Sequence, residues 1–455
     1  MSIYKAYDVR GIYPDEINQE IISKITKGFL VYFKRAGNLK LGAKILVGND
    51  VRLSSPELKK AVVDTILRAG FDVDDMDVAT TDSFYFSVGF FDYAGGIHIG
   101  ASHNPPQYNG IKAVARGVDF VRGEEVEKLI PFIYEIPDAP DLGAVRKVDL
   151  LKIFTDYNLK RGRASDLTMR RKVVLDPGNG ATILLLPYIL PGLPIDPVIV
   201  NNELDGNFPG RGPNPYLPEV YEKLRNLVLE NKVDFGAAWD NDADRIMFID
   251  ETGKAIPGDT VIGIVARKIL TENPGATITH DAVSTKSIKE IAQSLGGEAK
   301  RTRVGYVFVK RGMMETDSPF GGEVSGHFQY LYKEGVHKWS SENTWLTLIY
   351  IMHLLEESGK KLSELAKEAT LYHKSDVMNF EVSDPTSLIG VLKQKYSDGN
   401  QNMLDGLMVE YDDWWFIARP SNTEPLIRMV VEASSAEQLQ RKIAELKSAI
   451  ARFLS

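Results

Sequence analysis

Residues 44–70 read KILVGNDVRLSSPELKKAVVDTILRAG, and this stretch indicates the fold class. The apolar run at residues 44–48 predicts a β-strand, which a polar turn follows. Ser54 and Glu57 have the spacing of a capping box, so a helix is expected to begin there and to stop at Gly70. The stretch therefore predicts one βα unit.

The same pattern recurs twice further along the chain. Strand-like runs at residues 173–176 and 276–280 each lead through a turn into an apolar or helical segment. After the second run, a helix is expected over residues 284–295. Three βα openings about one domain length apart predict three α/β domains with mixed, largely parallel sheets.

The C-terminal stretch has a different pattern. Residues 414–418 and 426–433 read as two strands around a polar loop, and a helix with one apolar face follows. This predicts a smaller α+β domain. The expected domains are α/β at 1–146, 147–251 and 252–371, and α+β at 372–455.

Composition narrows the possible functions. The chain has 54 Lys and Arg against 62 Asp and Glu, a net charge of −8, which argues against a nucleic-acid binder. It contains no cysteine, which excludes a disulfide scaffold, a thiolate metal site and cysteine catalysis. No segment has the pattern of a signal peptide or a membrane span, so a cytoplasmic location is expected.

A serine next to a histidine marks the first chemically rich loop. Ser102 and His103 lie in GASHNPP, which nearly meets the hydrolase elbow G-x-S-x-G but has Asn104 at its last position. Taken alone, the loop is most simply an ordinary turn. Lys112 is a nearby cation that could join a site there.

The second loop is acidic. Asp240, Asp242 and Asp244 alternate in DNDADR, so their carboxylates can converge on a hard cation such as Mg²⁺ or Ca²⁺. An EF-hand is rejected because Arg245 stands where the sharp turn requires glycine. We expect a cation-binding loop rather than an acidic solvent turn.

Two further loops suit a phosphorylated sugar. In GGEVSGH (residues 321–327), Glu323 and Ser325 could form hydrogen bonds to vicinal hydroxyls. In RPSNTEP (residues 419–425), an arginine and three hydrogen-bonding side chains would suit a phosphate. Each loop by itself is also consistent with an ordinary turn.

Together and in this order, the four loops resemble those of the α-D-phosphohexomutase superfamily, most closely its phosphomannomutase/phosphoglucomutase group. ASHNPPQYNGIK (residues 101–112) is similar to the phosphoserine loop of that group, and DNDADR is similar to its magnesium loop. The third and fourth loops resemble its sugar-binding and phosphate-binding loops. The resemblance covers essentially the whole chain and implies four domains around a central cleft.

The resemblance also implies a role for each site residue. Ser102 would carry a phosphoryl group and would hold Mg²⁺ together with Asp240, Asp242 and Asp244. The reacting end would be lined by Tyr7, Arg10, His103, Lys112 and Arg245. The sugar would be bound by Glu323, Ser325 and His327, and the second phosphate by Arg419, Ser421, Asn422, Thr423 and Arg428.

The implied activity is that of a phosphohexomutase. Such an enzyme interconverts hexose 1-phosphate and hexose 6-phosphate, here of mannose or glucose, through a phosphoserine and a hexose 1,6-bisphosphate. Residues 371–375 would be a hinge on which the C-terminal domain closes. We expect no nucleic-acid or membrane partner, and a monomer or small homo-oligomer.

Three alternatives stay open. Tyr306 stands where the bifunctional mutases have a histidine, and the third loop is also compatible with phosphoglucosamine mutase. A metal-dependent sugar-phosphate phosphatase would use an aspartate nucleophile and gives no account of the Ser102 and Arg419 loops. A non-catalytic sugar-phosphate-binding protein would bind without turnover.

Overall fold

The computed structural model describes residues 2–40, 42–421 and 426–453. The chain divides into two compact units. The first unit comprises Met1–Pro257 and Ser325–Ser363, and the second comprises Gly258–Val324 and Glu364–Ser455. No helix within the described ranges is long and apolar enough to cross a membrane.

A seven-stranded sheet forms the N-terminal part of the first unit. Its strands are β1 (Val9–Ile12), β2 (Lys44–Asn49), β3 (Asp72–Val78), β4 (Gly95–Ile99), β5 (Tyr108–Ala115), β6 (Asp119–Val121) and β7 (Val145–Lys147). The order is β1-β5-β4-β2-β3-β7, with β6 beside β5. Strands β4, β2, β3 and β7 are parallel, whereas β5 is antiparallel to both of its neighbours in that order. The helices here are α1 (Gln19–Arg35), α2 (Ser55–Arg68), α3 (Thr81–Phe90) and α4 (Gly123–Glu127).

The βα unit predicted from residues 44–70 is confirmed as β2 followed by α2, and Gly70 has a left-handed φ of +81° just after the helix. The predicted capping box is wrong. Ser54 has helical backbone angles and makes no side-chain cap. Its Oγ instead accepts a 2.7 Å hydrogen bond from Nδ2 of Asn109, so a tertiary contact replaces the local one.

A second sheet completes the N-terminal half of the chain. Its strands are β8 (Arg171–Asp176), β9 (Ile195–Ile199), β10 (Phe235–Trp239), β11 (Ile246–Asp250) and β12 (Ala255–Ile256), in the order β12-β11-β10-β8-β9. Strands β10, β8 and β9 are parallel, and β11 is antiparallel to both of its neighbours. The helices are α5 (Leu151–Arg161), α6 (Leu186–Ile189) and α7 (Pro218–Asn231). The predicted strand at residues 173–176 lies within β8.

The third α/β stretch contributes elements to both units. Its strands are β13 (Thr277–Asp281), β14 (Glu298–Thr302), β15 (Phe320–Gly322), β16 (Phe328–Glu334) and β17 (His337–Glu342). Its helices are α8 (Gly258–Glu272), α9 (Ser287–Ser294), α10 (Tyr306–Thr316), α11 (Thr344–Ser358) and α12 (Leu362–Ala369). In the second unit β13 lies between β14 and β15 and is parallel to both, while in the first unit β16 and β17 are antiparallel.

The C-terminal stretch is an α+β domain, as predicted. Its strands are β18 (His373–Lys374), β19 (Met378–Glu381), β20 (Asn400–Asn402), β21 (Leu407–Glu410), β22 (Trp414–Pro420) and β23 (Leu426–Ala433). They form an antiparallel sheet ordered β18-β23-β22-β21-β20, with β19 also beside β23. Helices α13 (Pro385–Lys395) and α14 (Ala436–Ile450) pack on it, and α14 buries Leu439, Leu446 and Ile450. The fold class predicted from sequence is confirmed.

Candidate active site

Ser102 stands on a tight turn between β4 and β5 in the first unit. Its φ is +45°, a left-handed conformation that is uncommon for a residue with a side chain. The residue is fully buried. Its Oγ donates a 2.8 Å hydrogen bond to Oδ2 of Asp240 and lies 3.4 Å from Oδ1 of Asp244. The turn therefore directs the hydroxyl toward the acidic loop.

A buried arginine whose role the sequence did not predict holds this turn in shape. Nε of Arg52 donates to Oδ2 of Asp50 at 2.9 Å, and both side chains are completely buried. The two Nη groups donate to four backbone carbonyls of the Ser102 turn. These carbonyls belong to Ser102, Asn104, Pro105 and Tyr108. One guanidinium thus supports the whole turn.

The acidic loop joins β10 to β11, also in the first unit. Asp240, Asp242 and Asp244 are buried, and each offers a carboxylate oxygen within 4.8 Å of the other two. Between the last two, Ala243 has a left-handed φ of +58°, which turns the backbone sharply. The three aspartates singled out in the sequence therefore lie in one cluster.

Thr81 and Asp50, both outside the acidic loop, position it, and the sequence predicted this role for neither. Thr81, at the start of α3, donates its N–H to the carbonyl of Asp242 at 2.7 Å and its hydroxyl to Oδ2 of Asp242 at 2.6 Å. Nδ2 of Asn241 donates to Oδ2 of Asp50 at 2.7 Å. Because Asp50 also pairs with Arg52, one buried carboxylate connects the acidic loop to the support of the Ser102 turn.

Lys112 lies inside the cluster of carboxylates. Its Nζ donates to Oδ2 of Asp242 and to Oδ2 of Asp244, each at 2.8 Å, and the side chain is only 4% exposed. Burial opposes the charged form, but the two carboxylates hold the pKa of Lys112 well above its usual value. Burial and the neighbouring carboxylates raise the pKa of Asp240 well above its usual value. Burial favours the neutral form of Asp244, but the positive charge of Lys112 keeps the pKa of Asp244 well below its usual value.

The donor set of this cluster fits a hard divalent cation. Oδ1 of Asp242 is buried and has no hydrogen-bond partner among the described residues. A buried polar atom left in this way is costly unless it has another partner. Three carboxylates beside a serine oxygen are the kind of ligands that Mg²⁺ takes in proteins.

Two predicted basic residues contact the Ser102 turn. Nη1 of Arg10 donates to Oδ1 of Asn104 at 2.7 Å, and Nδ1 of His103 lies 3.2 Å from Oγ of Ser102. Burial, together with the positive charges of Arg245 and Arg10, lowers the pKa of His103 to about 2. His103 is therefore a neutral imidazole next to the hydroxyl.

Arg245 and His327 form a pair in the first unit. Nε of Arg245 donates to Nε2 of His327 at 3.0 Å. His327 is buried, and burial lowers its pKa to about 3. His327, predicted to bind sugar, thus has Arg245 as its hydrogen-bond donor at Nε2. Two other predicted residues of this unit, Tyr7 and Ser325, are half-buried.

In the second unit, Glu323 follows β15 and is buried. Its Oε1 accepts a 2.7 Å hydrogen bond from the N–H of Gly305, whose φ of +125° is accessible essentially only to glycine. Tyr306 comes next and begins α10, with 9% of its surface exposed. The position at which this chain differs from the bifunctional mutases is therefore next to the partner of the predicted sugar-binding carboxylate.

The predicted phosphate-binding residues lie at the facing ends of β22 and β23. Arg419 and Arg428 are directly opposite each other in the antiparallel register, and both are half-buried. The N–H of Ser421 donates to the carbonyl of Leu426 at 2.9 Å. Asn422 and Thr423, which were also predicted to bind phosphate, lie outside the described residues.

Comparison with known proteins identifies the family. Profiles for phosphoglucomutase/phosphomannomutase alpha/beta/alpha domains I, II and III match residues 1–134, 152–253 and 257–372, and the profile for its C-terminal domain matches 377–449. A phosphomannomutase of Methanocaldococcus jannaschii is 34% identical, over 100% of this chain and 98% of its own length. The chain belongs to the phosphoglucomutase/phosphomannomutase family.

Further members of the family are similar over nearly their full length. A phosphoglucomutase/phosphomannomutase of Thermococcus kodakarensis is 33% identical, over 96% of this chain and 95% of its own. The crystal structure of a phosphoglucomutase/phosphomannomutase family protein from Burkholderia thailandensis superposes with a TM-score of 0.86 at 28% identity. That match covers 98% of this chain and 96% of the other. The family resemblance inferred from the four loops is confirmed.

Proposed function

We propose that the chain is a phosphohexomutase, an isomerase that interconverts the 1-phosphates and 6-phosphates of mannose and glucose. The observation that carries the proposal is the buried Ser102 hydroxyl, held on a left-handed turn 2.8 Å from Asp240 within a cluster of three carboxylates and Lys112. The relatives named phosphomannomutase and phosphoglucomutase/phosphomannomutase support the choice of sugars.

The proposed cycle transfers a phosphoryl group twice. In the first transfer O6 of a hexose 1-phosphate attacks the phosphorus on Ser102, so the O6–P bond forms, the Oγ–P bond breaks and the O6 proton passes to the protein. The hexose 1,6-bisphosphate then turns end for end and returns its O1 phosphoryl group to Ser102, leaving hexose 6-phosphate. His103 and Lys112 are the candidates for exchanging the protons.

Asp240, Asp242 and Asp244, with an oxygen on Ser102, would hold Mg²⁺. When bound, the ion would offset the charge that a phosphoserine adds beside three carboxylates and would polarise the phosphorus. Arg245 and Arg10, at the same end of the first unit, would stabilise the negative charge of the moving phosphoryl group.

Glu323 would accept hydrogen bonds from sugar hydroxyls, and Ser325 would also bind the sugar. Arg419, Ser421 and Arg428, with Asn422 and Thr423, would hold the phosphate that is not reacting. A loop that recognises either phosphate allows both orientations of the bisphosphate. Closure of the C-terminal domain about residues 371–375 would exclude water from the phosphoserine.

The test is a coupled assay with glucose 1-phosphate and mannose 1-phosphate, Mg²⁺ and a trace of glucose 1,6-bisphosphate. Wild type and Ser102→Ala are compared, with the exposed Ser165→Ala as a matched control. We expect 6-phosphates from wild type and from the control only. Release of inorganic phosphate would favour a phosphatase, turnover of glucosamine 1-phosphate alone a phosphoglucosamine mutase, and binding without turnover a binding protein.

A further inference from the structure

The two faces of β22 pack against different partners. Alternate side chains from Trp414 face the domain's own core, while Trp415 and Ile417 belong to a second apolar cluster with residues of the third α/β stretch. This second cluster also contains Ala282, Met408 and Val430, with Val283 and Val304 packed against it. Because side chains alternate along a strand, Arg419 continues the face of Trp415 and Ile417. Arg419 thus stands where the C-terminal domain packs on the third stretch.

Asp405, on the turn between β20 and β21, pairs with this arginine. Its Oδ2 lies 2.8 Å from Nε of Arg419 and accepts a 3.1 Å hydrogen bond from the N–H of Val304. Its Oδ1 accepts from Nε of Arg303 at 3.3 Å. Asp405 is only 8% exposed, so its carboxylate is oriented by these donors rather than by solvent. One buried carboxylate joins the two stretches.

The same contacts continue to the predicted sugar-binding carboxylate. Val304 precedes Gly305, whose N–H donates to Oε1 of Glu323. A continuous series of contacts therefore runs from Glu323 through the Val304–Gly305 backbone to Asp405 and Arg419. All of these groups lie in the second unit. Displacement of one end would disturb the other.

The geometry at Arg419 leaves a ligand-binding edge available. Asp405 engages Nε, whereas Nη1 and Nη2 have no hydrogen-bond partner within residues 2–40, 42–421 and 426–453. Those two groups can bind a phosphate in a bidentate manner.

We propose that Asp405 is a positioning residue for substrate: it fixes the guanidinium of Arg419 for a sugar phosphate and ties that group to the turn that supports Glu323. The phosphate as ligand rests on the proposed function. The contacts predict that Asp405 governs how tightly a hexose phosphate binds, with little influence on phosphoryl transfer itself. Asp405 acts through Arg419 and does not touch the reacting atoms.

The test compares Asp405→Ala and Asp405→Asn with Asp412→Asn, an exposed aspartate on the next turn of the same domain. KM and kcat are measured for both hexose 1-phosphates. Binding of glucose 6-phosphate is measured by calorimetry in a Ser102→Ala background, where no turnover occurs. We expect Asp405→Ala to raise KM and Kd about tenfold or more, the order expected for a lost hydrogen bond between charged groups, with kcat within about threefold.

Asp405→Asn should lie between Asp405→Ala and wild type, because its amide oxygen can still accept from Val304 but carries no charge toward Arg419. In a double-mutant cycle, Asp405→Ala should add little to Arg419→Ala. A fall in kcat at unchanged Kd, or additive effects in the cycle, would overturn the positioning role.

The two proposals can fail separately. A wild-type protein that binds glucose 6-phosphate but shows no mutase turnover would overturn the proposed function, and the calorimetry would still test Asp405. If wild type bound no glucose 6-phosphate at all, both would be overturned.

Discussion

Arg52 and Arg419 both serve loops that are expected to handle phosphate, but they use their donors differently. The Arg52 side chain is completely buried and donates five hydrogen bonds to the protein, four of them to backbone carbonyls. The Arg419 side chain is 20% exposed and pairs through Nε with Asp405. Burial thus makes one arginine part of the scaffold, while partial exposure leaves the other able to bind a ligand.

The largest expected effect is that of Arg52→Met. The variant leaves the Asp50 carboxylate buried without its partner and removes the support of the Ser102 turn. Breaking a buried ion pair costs about 3–5 kcal/mol, and we expect a loss of this order in the free energy of unfolding. Mutase turnover should fall as well. Chemical denaturation and the coupled assay measure the two effects.

The control is Arg163→Met, which breaks the exposed pair between Arg163 and Asp166. Surface pairs contribute at most about 1 kcal/mol, so this variant should unfold almost as wild type does. If both variants lost the same small amount, Arg52 would not be the scaffold residue that its contacts indicate.

Burial near the acidic loop should also make stability depend on pH. Asp82, on α3 next to Thr81, is completely buried and its carboxylate accepts hydrogen bonds from Thr344 and Ser83. Burial raises its pKa from 3.8 to about 7. Between these values the folded state binds a proton that the unfolded state does not. Stability from this group is therefore complete below pH 3.8 and is lost as the pH rises to 7.

Asp82→Asn should remove this loss. As the pH rises from 5 to 8, the difference in free energy of unfolding between Asp82→Asn and wild type should shift by about 3 kcal/mol in favour of the variant. Each pH unit between pH 5 and pH 7 contributes about 1.4 kcal/mol to this shift. Denaturation at the two pH values measures the change. The exposed Asp156→Asn is the control, and a parallel pH dependence of Asp82→Asn and wild type would contradict the raised pKa.

Local patterns predicted the elements well where an apolar run is buried on both faces. The run at residues 414–418 lies within β22 and the run at residues 426–433 coincides with β23, because alternate side chains of these strands enter two apolar clusters. The carboxylate cluster was also predictable, since Asp240, Asp242 and Asp244 are close in sequence. Such features depend on neighbours along the chain.

The role of Arg52 could not be predicted in this way. Its acceptors are mostly backbone carbonyls far along the chain. Because every residue has a backbone carbonyl, residue types do not indicate which carbonyls accept these hydrogen bonds. The Asp50-x-Arg52 pair in the polar turn after β2 was the only local sign. Ser54 failed as a cap for a related reason, because its hydroxyl accepts from the distant Asn109.

In the buried carboxylate cluster of the first unit, Asp242→Asn tests whether a cation is bound there. The change removes one of three converging charges and weakens the contact with Lys112. We expect mutase turnover at limiting Mg²⁺ to fall by about 100-fold or more, with partial recovery at high Mg²⁺ as the weaker site fills. Turnover and calorimetric Mg²⁺ binding are measured together, with Asp64→Asn, whose side chain is 43% exposed beside Lys60, as a control. If Asp242→Asn showed activity near that of wild type without added metal, the assignment of a cation to this cluster would be wrong.

The smallest expected effect is that of replacing Arg419, the partly exposed arginine that contrasts with Arg52. Arg419→Ala removes a half-buried group that pairs with Asp405 and has donors available for a ligand. We expect KM for hexose 1-phosphates to rise about tenfold or more, at least as much as in Asp405→Ala, and the free energy of unfolding to change by less than about 1 kcal/mol. Arg441→Ala, an exposed arginine on α14, should change neither quantity. If Arg419→Ala instead destabilised the fold as Arg52→Met does and left KM unchanged, burial would not separate scaffold arginines from ligand-binding ones in this chain.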